Sequence, residues 1–559
     1  MPTSTTVHGL RLTRQQLSLL LTVIALVLWS HSILWARLEI GFWGLVHSLP
    51  VSFFLAFVFL TAASAILWVA KENHTKLLCL QLLLMVAFLW LVPPTTGGSP
   101  PCVNHSYRAV GYIDYIIKQG HFNPVADDYL SWPGVFLVSS PAIIITSVSR
   151  VEALFALSPL LLQLGCLIPL YAFLKNTLGA ERLKYCWAGC WLFSLARWTP
   201  QAYFSSTQGA ALLLLLTLLA LLTRRPLLEK ASELRFSLSL TVLVFCTLVV
   251  THLLTSIVAL CVVVALCLVK RSRMLAAVAA VCLLLLIGWS LTGASGYVVP
   301  TAASSGIRGL ILGPEGVGTA QITSRLTGSQ SHIAVAEMRV LFSAIFVALG
   351  LLGAIWVLLI KRDLRVSVLV LAIAVAPLVL VPLRPFTYSG ELLQRLYLLS
   401  LAPMAYFGAR LLEAARRPLS VIICLVLVLA VPLHIVSYYG NQQLDYYSPA
   451  QATGVDFFKD KTDRGYVTEA FTTGGMQSPE RYHGLPWGQE SHSPMPDRPD
   501  NELPHYVGMS RQARGYYEFI AIVPEFVSRM QNTLSDSGYN LVYDCRDLEL
   551  HVGSAEPKE

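Results

Sequence analysis

Apolar runs about as long as a bilayer is thick recur along this chain, separated by short stretches that hold most of its charge, and few folds are open to such a pattern. Leu19 to Trp29, Ala211 to Leu222 and Val421 to Val431, extended by their apolar flanks, approach the roughly 20 residues that cross hydrocarbon as a helix. Strands of a membrane barrel would be about half that length and would alternate in polarity. Composition narrows the class further: 55% of the 559 residues are hydrophobic and 13% are charged, whereas soluble domains carry about 25% charge. A soluble class is excluded.

Runs bounded by charge or by Gly and Pro predict spans near 16–36, 47–70, 77–93, 152–174, 185–199, 209–223, 236–250, 253–269, 274–292, 338–360, 366–382, 395–412 and 419–437. The expected fold is therefore an all-α polytopic membrane protein of about thirteen transmembrane helices. No cleavable leader is expected, because the first run follows Arg11 and Arg14 without a small-residue cleavage site and further spans come directly after it. Nine of the 11 cysteines sit in or beside apolar runs, where a thiol behaves as a small hydrophobe. No zinc or redox spacing occurs among them. The other two, Cys102 and Cys545, fall in aqueous segments on the same expected side, where a disulfide could persist, chance co-location being the alternative.

The run 134–149 is short and carries Ser139, Ser140, Pro141, Thr146 and Ser147. If it lies along the surface, the basic clusters Arg11/Arg14, Lys71/Lys76, Lys175/Arg182/Lys184, Arg224/Arg225/Lys230/Arg235, Lys270/Arg271/Arg273, Lys361/Arg362/Arg365 and Arg416/Arg417 all fall on one side. If it crosses, the later clusters change sides. Because Lys and Arg are retained in the cytoplasm, the run reads as an interfacial helix. The chain is then a multi-pass protein of the cytoplasmic membrane, with its N-terminus inside and segments 94–151, 293–337, 383–394 and 438–559 outside. The division is a transmembrane domain, 1–437, whose outer loop 94–151 contains interfacial helices, and an extracytoplasmic domain, 438–559.

The tail from Ser437 holds 18 acidic and 10 basic residues, while the whole chain is +8, so the positive charge belongs to the membrane part. A pI near 8.9 is thus no sign of nucleic-acid binding. Apolar clusters at Val455 to Phe458, Phe519 to Val527 and Leu541 to Val542 predict a folded tail, a small α/β unit. Its expected elements are helices near 449–461 and 523–535 and strands near 539–543 and 547–552, with 472–505 as a long surface loop.

Segment 94–151 mixes aromatic, polar and charged groups beyond the needs of a connector. An amphipathic helix is expected from Asn104 to Gln119, with Tyr107, Ile113 and Ile117 buried. Asp127-Asp128-Tyr129 and Trp132-Pro133-Gly134 follow. The glycine run Gly313 to Gly318 lacks the Lys-Ser/Thr of a phosphate loop and reads as an outer loop. Of the sequons at Asn73 and Asn104, only the second is on the outer side.

Several of these blocks resemble a known superfamily. "YIIKQG" followed by a Tyr and "WPGVFLV", then "YFSSTQGAALLLLL" at 203–216, "VVTHLLTSIVAL" at 249–260, "ELLQRLYLLSLAP" at 391–403 and "NLVYDCRDLELHV" at 540–552, are similar in order and location to blocks of GT-C-like membrane proteins. That superfamily contains the glycosyltransferases that use polyprenyl-phosphate sugars. The resemblance implies a GT-C-like fold ending in a small outer domain. It also implies partners: the bilayer and a polyprenyl-phosphate-linked sugar, with the acceptor left open. Such enzymes place an acid in the first large outer loop just after a span, where this chain has Asn104-His105-Ser106.

Under that reading the candidate catalytic residues are Asp127, Asp128 and Asp114, since the acceptor must lose a proton while the departing sugar gains oxocarbenium character. Asp127 and Asp128 could also hold a divalent cation, the only cofactor in view. The bland alternatives are a solvated turn for the pair and a helix-surface residue for Asp114. Candidate substrate-binding residues are His105, His252, Gln208, Arg384 and Arg395. Histidine near the outer end of a span could meet a phosphate or metal, or could be a neutral ring bonded between helices. Arginine suits bidentate phosphate recognition, although a Glu391 to Arg395 bridge is the structural alternative. All these segments are expected to converge on one outer cavity. The function expected is sugar transfer at the outer face; the alternatives are a catalytically silent lipid-glycan-binding or scaffold protein of envelope assembly and, with no inverted repeat to support it, a transporter.

Overall fold

The computed structural model describes residues 13–36, 41, 43–92, 104–124, 128–146, 151–198, 207–224, 231–312, 328–361, 364–383 and 392–441, and in the tail 450, 453, 468–469, 506–510, 526–536, 539–544 and 548–553. The membrane part is helical among these residues, apart from turns and one isolated bridge between Gly41 and Gly44. Where no water can satisfy a peptide group, local helical bonding is the cheapest solution: the apolar runs adopt it, mostly as α-helix, with a π-helical stretch at Trp356–Lys361 and a 3-10 stretch at Ala376–Leu380. The helices are α1 (Arg14–Trp35), α2 (Val51–Val69), α3 (Thr75–Trp90), α4 (Asn104–Gln119), α5 (Gly134–Thr146), α6 (Val151–Leu178), α7 (Leu183–Ala196) and α8 (Thr207–Thr223). There follow α9 (Ala231–Val249), α10 (Leu253–Lys270), α11 (Arg273–Leu291), α12 (Ser295–Leu312), α13 (Gln330–Ile355), α14 (Leu364–Val375), α15 (Leu392–Ala414) and α16 (Arg417–Tyr439). Among the described residues, seven helices are long and apolar enough to cross a membrane: α1, α2, α10, α11 and α16, α6 from Leu157, and α13 with its π-helical extension to Lys361. The membrane part is all-α and polytopic.

Several boundaries depart from the sequence reading, and two have a visible cause. The second run begins its helix at Val51 rather than 47, because Pro50 occupies the N-cap and a 3-10 turn, Leu45–Ser48, precedes it. Segment 293–337, expected to be a connector, contains α12 and the start of α13. Gly296, Ser304, Ser305 and Gly306 dilute its apolarity below what an apolar-run criterion detects, yet backbone bonding tolerates them and the internal Pro300.

Lipid offers helices no hydrophobic reason to associate, so close backbone approach and polar contacts hold the bundle. A Cβ at Gly353 of α13 would overlap the Phe407 carbonyl of α15, and one at Gly189 of α7 would lie 2.8 Å from Leu174 of α6. Gln81 of α3 ties three helices together: its Nε2 donates to Ser18 and Thr22 of α1, both at 2.9 Å, and its Oε1 accepts from Ser64 of α2 at 2.8 Å. At one end of the bundle Glu413 of α15 pairs with Arg182 at 2.6 Å and with Arg410 at 2.9 Å.

A second, smaller core lies under α4 and α5, where Ala109, Tyr112, Ile113 and Ile116 pack with Leu130, Phe136 and Ile143. Ile113 and Ile117 pack there as expected; the side chain of Tyr107 lies outside the described residues. In the tail, β1 (Thr468–Glu469), β2 (Tyr506–Ser510), β3 (Tyr539–Asp544) and β4 (Leu548–Gly553) form a sheet in the order β1-β2-β4-β3, with β1 parallel to β2 and the other pairs antiparallel. Helix α17 (Phe526–Asp536) packs beside β3. The helix and the last two strands fall where the sequence predicts them, whereas β2 was not anticipated. The expected helix near 449–461, apart from positions 450 and 453, and the stretch 472–505 lie outside the described residues, as do Cys102, Cys545 and Gly313 to Gly318.

Candidate functional site at one end of the bundle

The segment joining α4 to α5 folds down onto the helix ends. After the 3-10 turn Asp128–Ser131, the Gly134 amide donates to the Val250 carbonyl at 3.0 Å, in the turn between α9 and α10. Glycine is required there, because a Cβ would stand 2.6 Å from the Thr251 hydroxyl. The Trp289 indole of α11 donates to the Ser131 carbonyl at 3.1 Å, and Trp132 meets Tyr297 of α12 edge to face. Thus α9 to α12 form the floor on which the α4–α5 connection rests.

His252 sits in that floor, between α9 and α10, as the N-cap of α10. Its Nδ1 accepts from the Thr255 amide at 3.2 Å and lies 2.9 Å from the Thr255 hydroxyl. The bond is local to α10 and not, as the structural alternative had it, one between helices. An Nδ1 that accepts from an amide carries no proton, so the neutral ring presents Nε2–H as a donor. Burial first, and then the charge of Arg395, hold the imidazole well below the usual histidine range, to about 3. Arg395, in the first turn of α15, is 5% exposed and acts electrostatically on His252. The charge of Arg395 therefore reaches a histidine far from it in the sequence.

Gln208, in the first turn of α8, is buried, and its Nε2 lacks a hydrogen-bond partner among the described residues; so do the Ser131 hydroxyl and the Trp132 indole N–H. Buried donors without partners cost about 1–3 kcal/mol each, and such groups recur where a ligand or water completes them. The remaining candidates divide. Asp114 forms an i, i+4 pair with Lys118 at 3.8 Å on α4, which is the helix-surface reading. His105 lies in the first turn of α4 and Asp128 opens the 3-10 turn, but their side chains lie outside the described residues, as do Asp127, Arg384 and Glu391 entirely. Among the described residues no three His, Cys, Asp or Glu side chains cluster as a metal site.

The chain resembles an archaeal oligosaccharyltransferase in outline. Against the Archaeoglobus fulgidus enzyme in complex with Zn and sulfate, the match has a TM-score of 0.49 and 14% identity, covering 85% of this chain and 73% of that one. Against the same enzyme with an inhibitory peptide and a dolichol-phosphate the TM-score is 0.47 at 14% identity, covering 76% and 61%. With a tethered acceptor peptide it is 0.47 at 13% identity, covering 70% of this chain and 58% of that one. This chain therefore spans less than two thirds of the first of these structures to be matched, the peptide-tethered one. No family model matches the sequence, and neither does any curated protein. A likeness of this order transfers no residue and no role.

Sequence reasoning missed Arg197, which lies at the end of α7 and is 1% exposed. One of its nitrogens donates to Gln163 of α6 at 2.8 Å, and nearby the Tyr397 hydroxyl of α15 donates to the Ala196 carbonyl at 2.8 Å. Tyr397 and Arg395 both belong to α15, two residues apart and so on different faces of it. The signal was present: an arginine inside an apolar run is itself a pointer to function.

Proposed function

We propose that the chain transfers a sugar from a polyprenyl-phosphate carrier to an acceptor at the outer face of the cytoplasmic membrane. The observation that supports this reading is that the charge of buried Arg395 reaches His252, two residues from the Val250 carbonyl on which Gly134 of the outer segment rests. A guanidinium and an Nε2–H donor suit the oxygens of a lipid phosphate, where negative charge develops as the sugar departs. One of the two aspartates then takes the acceptor proton, and the pair is the place for a divalent cation if the reaction uses one. Helix α5 lies along the interface as the rim past which the lipid tail enters. The reading includes about thirteen crossings, the N-terminus inside and the tail domain outside.

Purified protein incubated with a panel of radiolabelled polyprenyl-phosphate sugars tests the proposal. Turnover is expected with at least one donor and is expected to be lost in Asp127→Asn/Asp128→Asn. Turnover intact in that variant would remove the base assignment. A second reading, a silent lipid-glycan-binding or scaffold protein, is favoured by Asn104-His105-Ser106 standing where related enzymes are expected to carry an acid. Donor binding without turnover across the whole panel would favour it.

A further inference from the structure

A cavity of about 810 Å³ opens at the opposite end of the bundle, where the start of α1, the end of α2 and the Lys71–His74 turn meet the starts of α7 and α16 and the end of α15. Four cations line it, Arg14, Lys71, Lys184 and Arg417, against a single carboxylate, Glu72, which is itself 3.5 Å from His74. Lys184 is anchored by donating to the Ala70 carbonyl at 2.7 Å, so its charge is held at the wall. Trp68 is among the lining residues while 2% exposed, and its indole N–H has no partner among the described residues. Helix α16 starts here with no side-chain cap, and Arg417 and Ser420 of its first turns belong to the lining. Pro418 brings no N–H to this first turn, so it is the positive end of the helix dipole that adds to the four cations.

Surface cations alone are what a cytoplasmic face is expected to carry. This place differs in having a concavity, an excess of fixed positive charge, an uncapped helix start and a buried donor left unused. We infer that the cavity binds a phosphate-bearing anion, either the headgroup of an anionic phospholipid from the adjoining leaflet or a soluble phosphate. Basic pockets between membrane helices accept such headgroups, since several donors meet one phosphate while the acyl chains stay in the bilayer. The site is remote from His252 and Arg395 and does not depend on the chemistry proposed there.

The full-length chain in neutral detergent is titrated with dioleoyl phosphatidylglycerol, dioleoyl phosphatidylcholine or inorganic phosphate, and binding is read by native mass spectrometry and by thermal unfolding. Phosphatidylglycerol is expected to bind at least about tenfold more tightly than phosphatidylcholine. Lys71→Gln/Arg417→Gln and, separately, Trp68→Phe are expected to weaken it, whereas Arg273→Gln/Lys361→Gln, exposed cations outside the cavity, leave it unchanged. Inorganic phosphate that stabilises the protein with the same dependence on these variants, in the absence of a phosphatidylglycerol preference, assigns the site to a soluble ligand and upholds it. No preference for either phosphate source, or equal weakening by the two double variants, overturns it.

Discussion

At the residue level His252 carries two duties that substitution can separate. Its Nδ1 caps α10, and loss of an N-cap costs about 1 kcal/mol; its Nε2–H is the group available to a ligand. Asparagine can cap but cannot present that donor. His252→Asn is therefore expected to melt within a few degrees of the parent while losing lipid-sugar turnover, and His252→Ala to lose both. Equal turnover in His252→Asn and the parent would leave the ring a structural cap. The ring also makes a pH prediction. Its folded-state value is held down to about 3 from an ordinary 6.5, so protonation favours the unfolded chain, and its contribution to stability is full above about 6.5 and is lost as pH falls toward 3. Thermal unfolding between pH 7 and pH 4 is expected to fall less steeply in His252→Asn than in the parent. Arg395 belongs with it: Arg395→Lys keeps the charge but not the fork, and turnover is expected to drop at least about tenfold if the phosphate is held bidentately.

Helix pairs are specified by few contacts. A methyl group at Gly353 has to displace the Phe407 carbonyl, so Gly353→Ala is expected to push α13 away from α15 and destabilise the bundle by about 1–3 kcal/mol. Melting in detergent measures it, and an unchanged midpoint would mean that the pair has slack. Gln81 offers a polar counterpart. Gln81→Leu leaves Ser18, Thr22 and Ser64 without their shared partner, and a loss of about 1–2 kcal/mol is expected. The same variant is expected to leave turnover per folded molecule unchanged, because the clamp joins α1, α2 and α3, away from His252. A turnover loss exceeding the folded-fraction loss would couple the clamp to the site.

For the whole molecule, the prediction concerns sidedness. The basic clusters predict a tail outside; on that topology Ser448→Cys in a background without other reactive thiols is expected to react with an impermeant maleimide on intact cells, while Lys361→Cys reacts only after permeabilisation. The opposite pattern would invert the protein and with it both proposed sites.

Helix existence was legible in the sequence because each membrane helix satisfies its own backbone and announces itself by an apolar run; the amphipathic pattern that put Ile113 and Ile117 inside announced α4 in the same way. Helix α12 was hidden because polar small residues weaken the run without weakening the backbone bonds. The site was legible only as a set of suspects. That the charge of Arg395 reaches His252 and that Arg197 is buried beside Gln163 depend on which helix faces pack together. Packing turns on glycine contacts and lone hydrogen bonds scattered across the chain, a pairing that local composition does not encode, so sequence alone determined the segments and tertiary structure decided which polar groups meet.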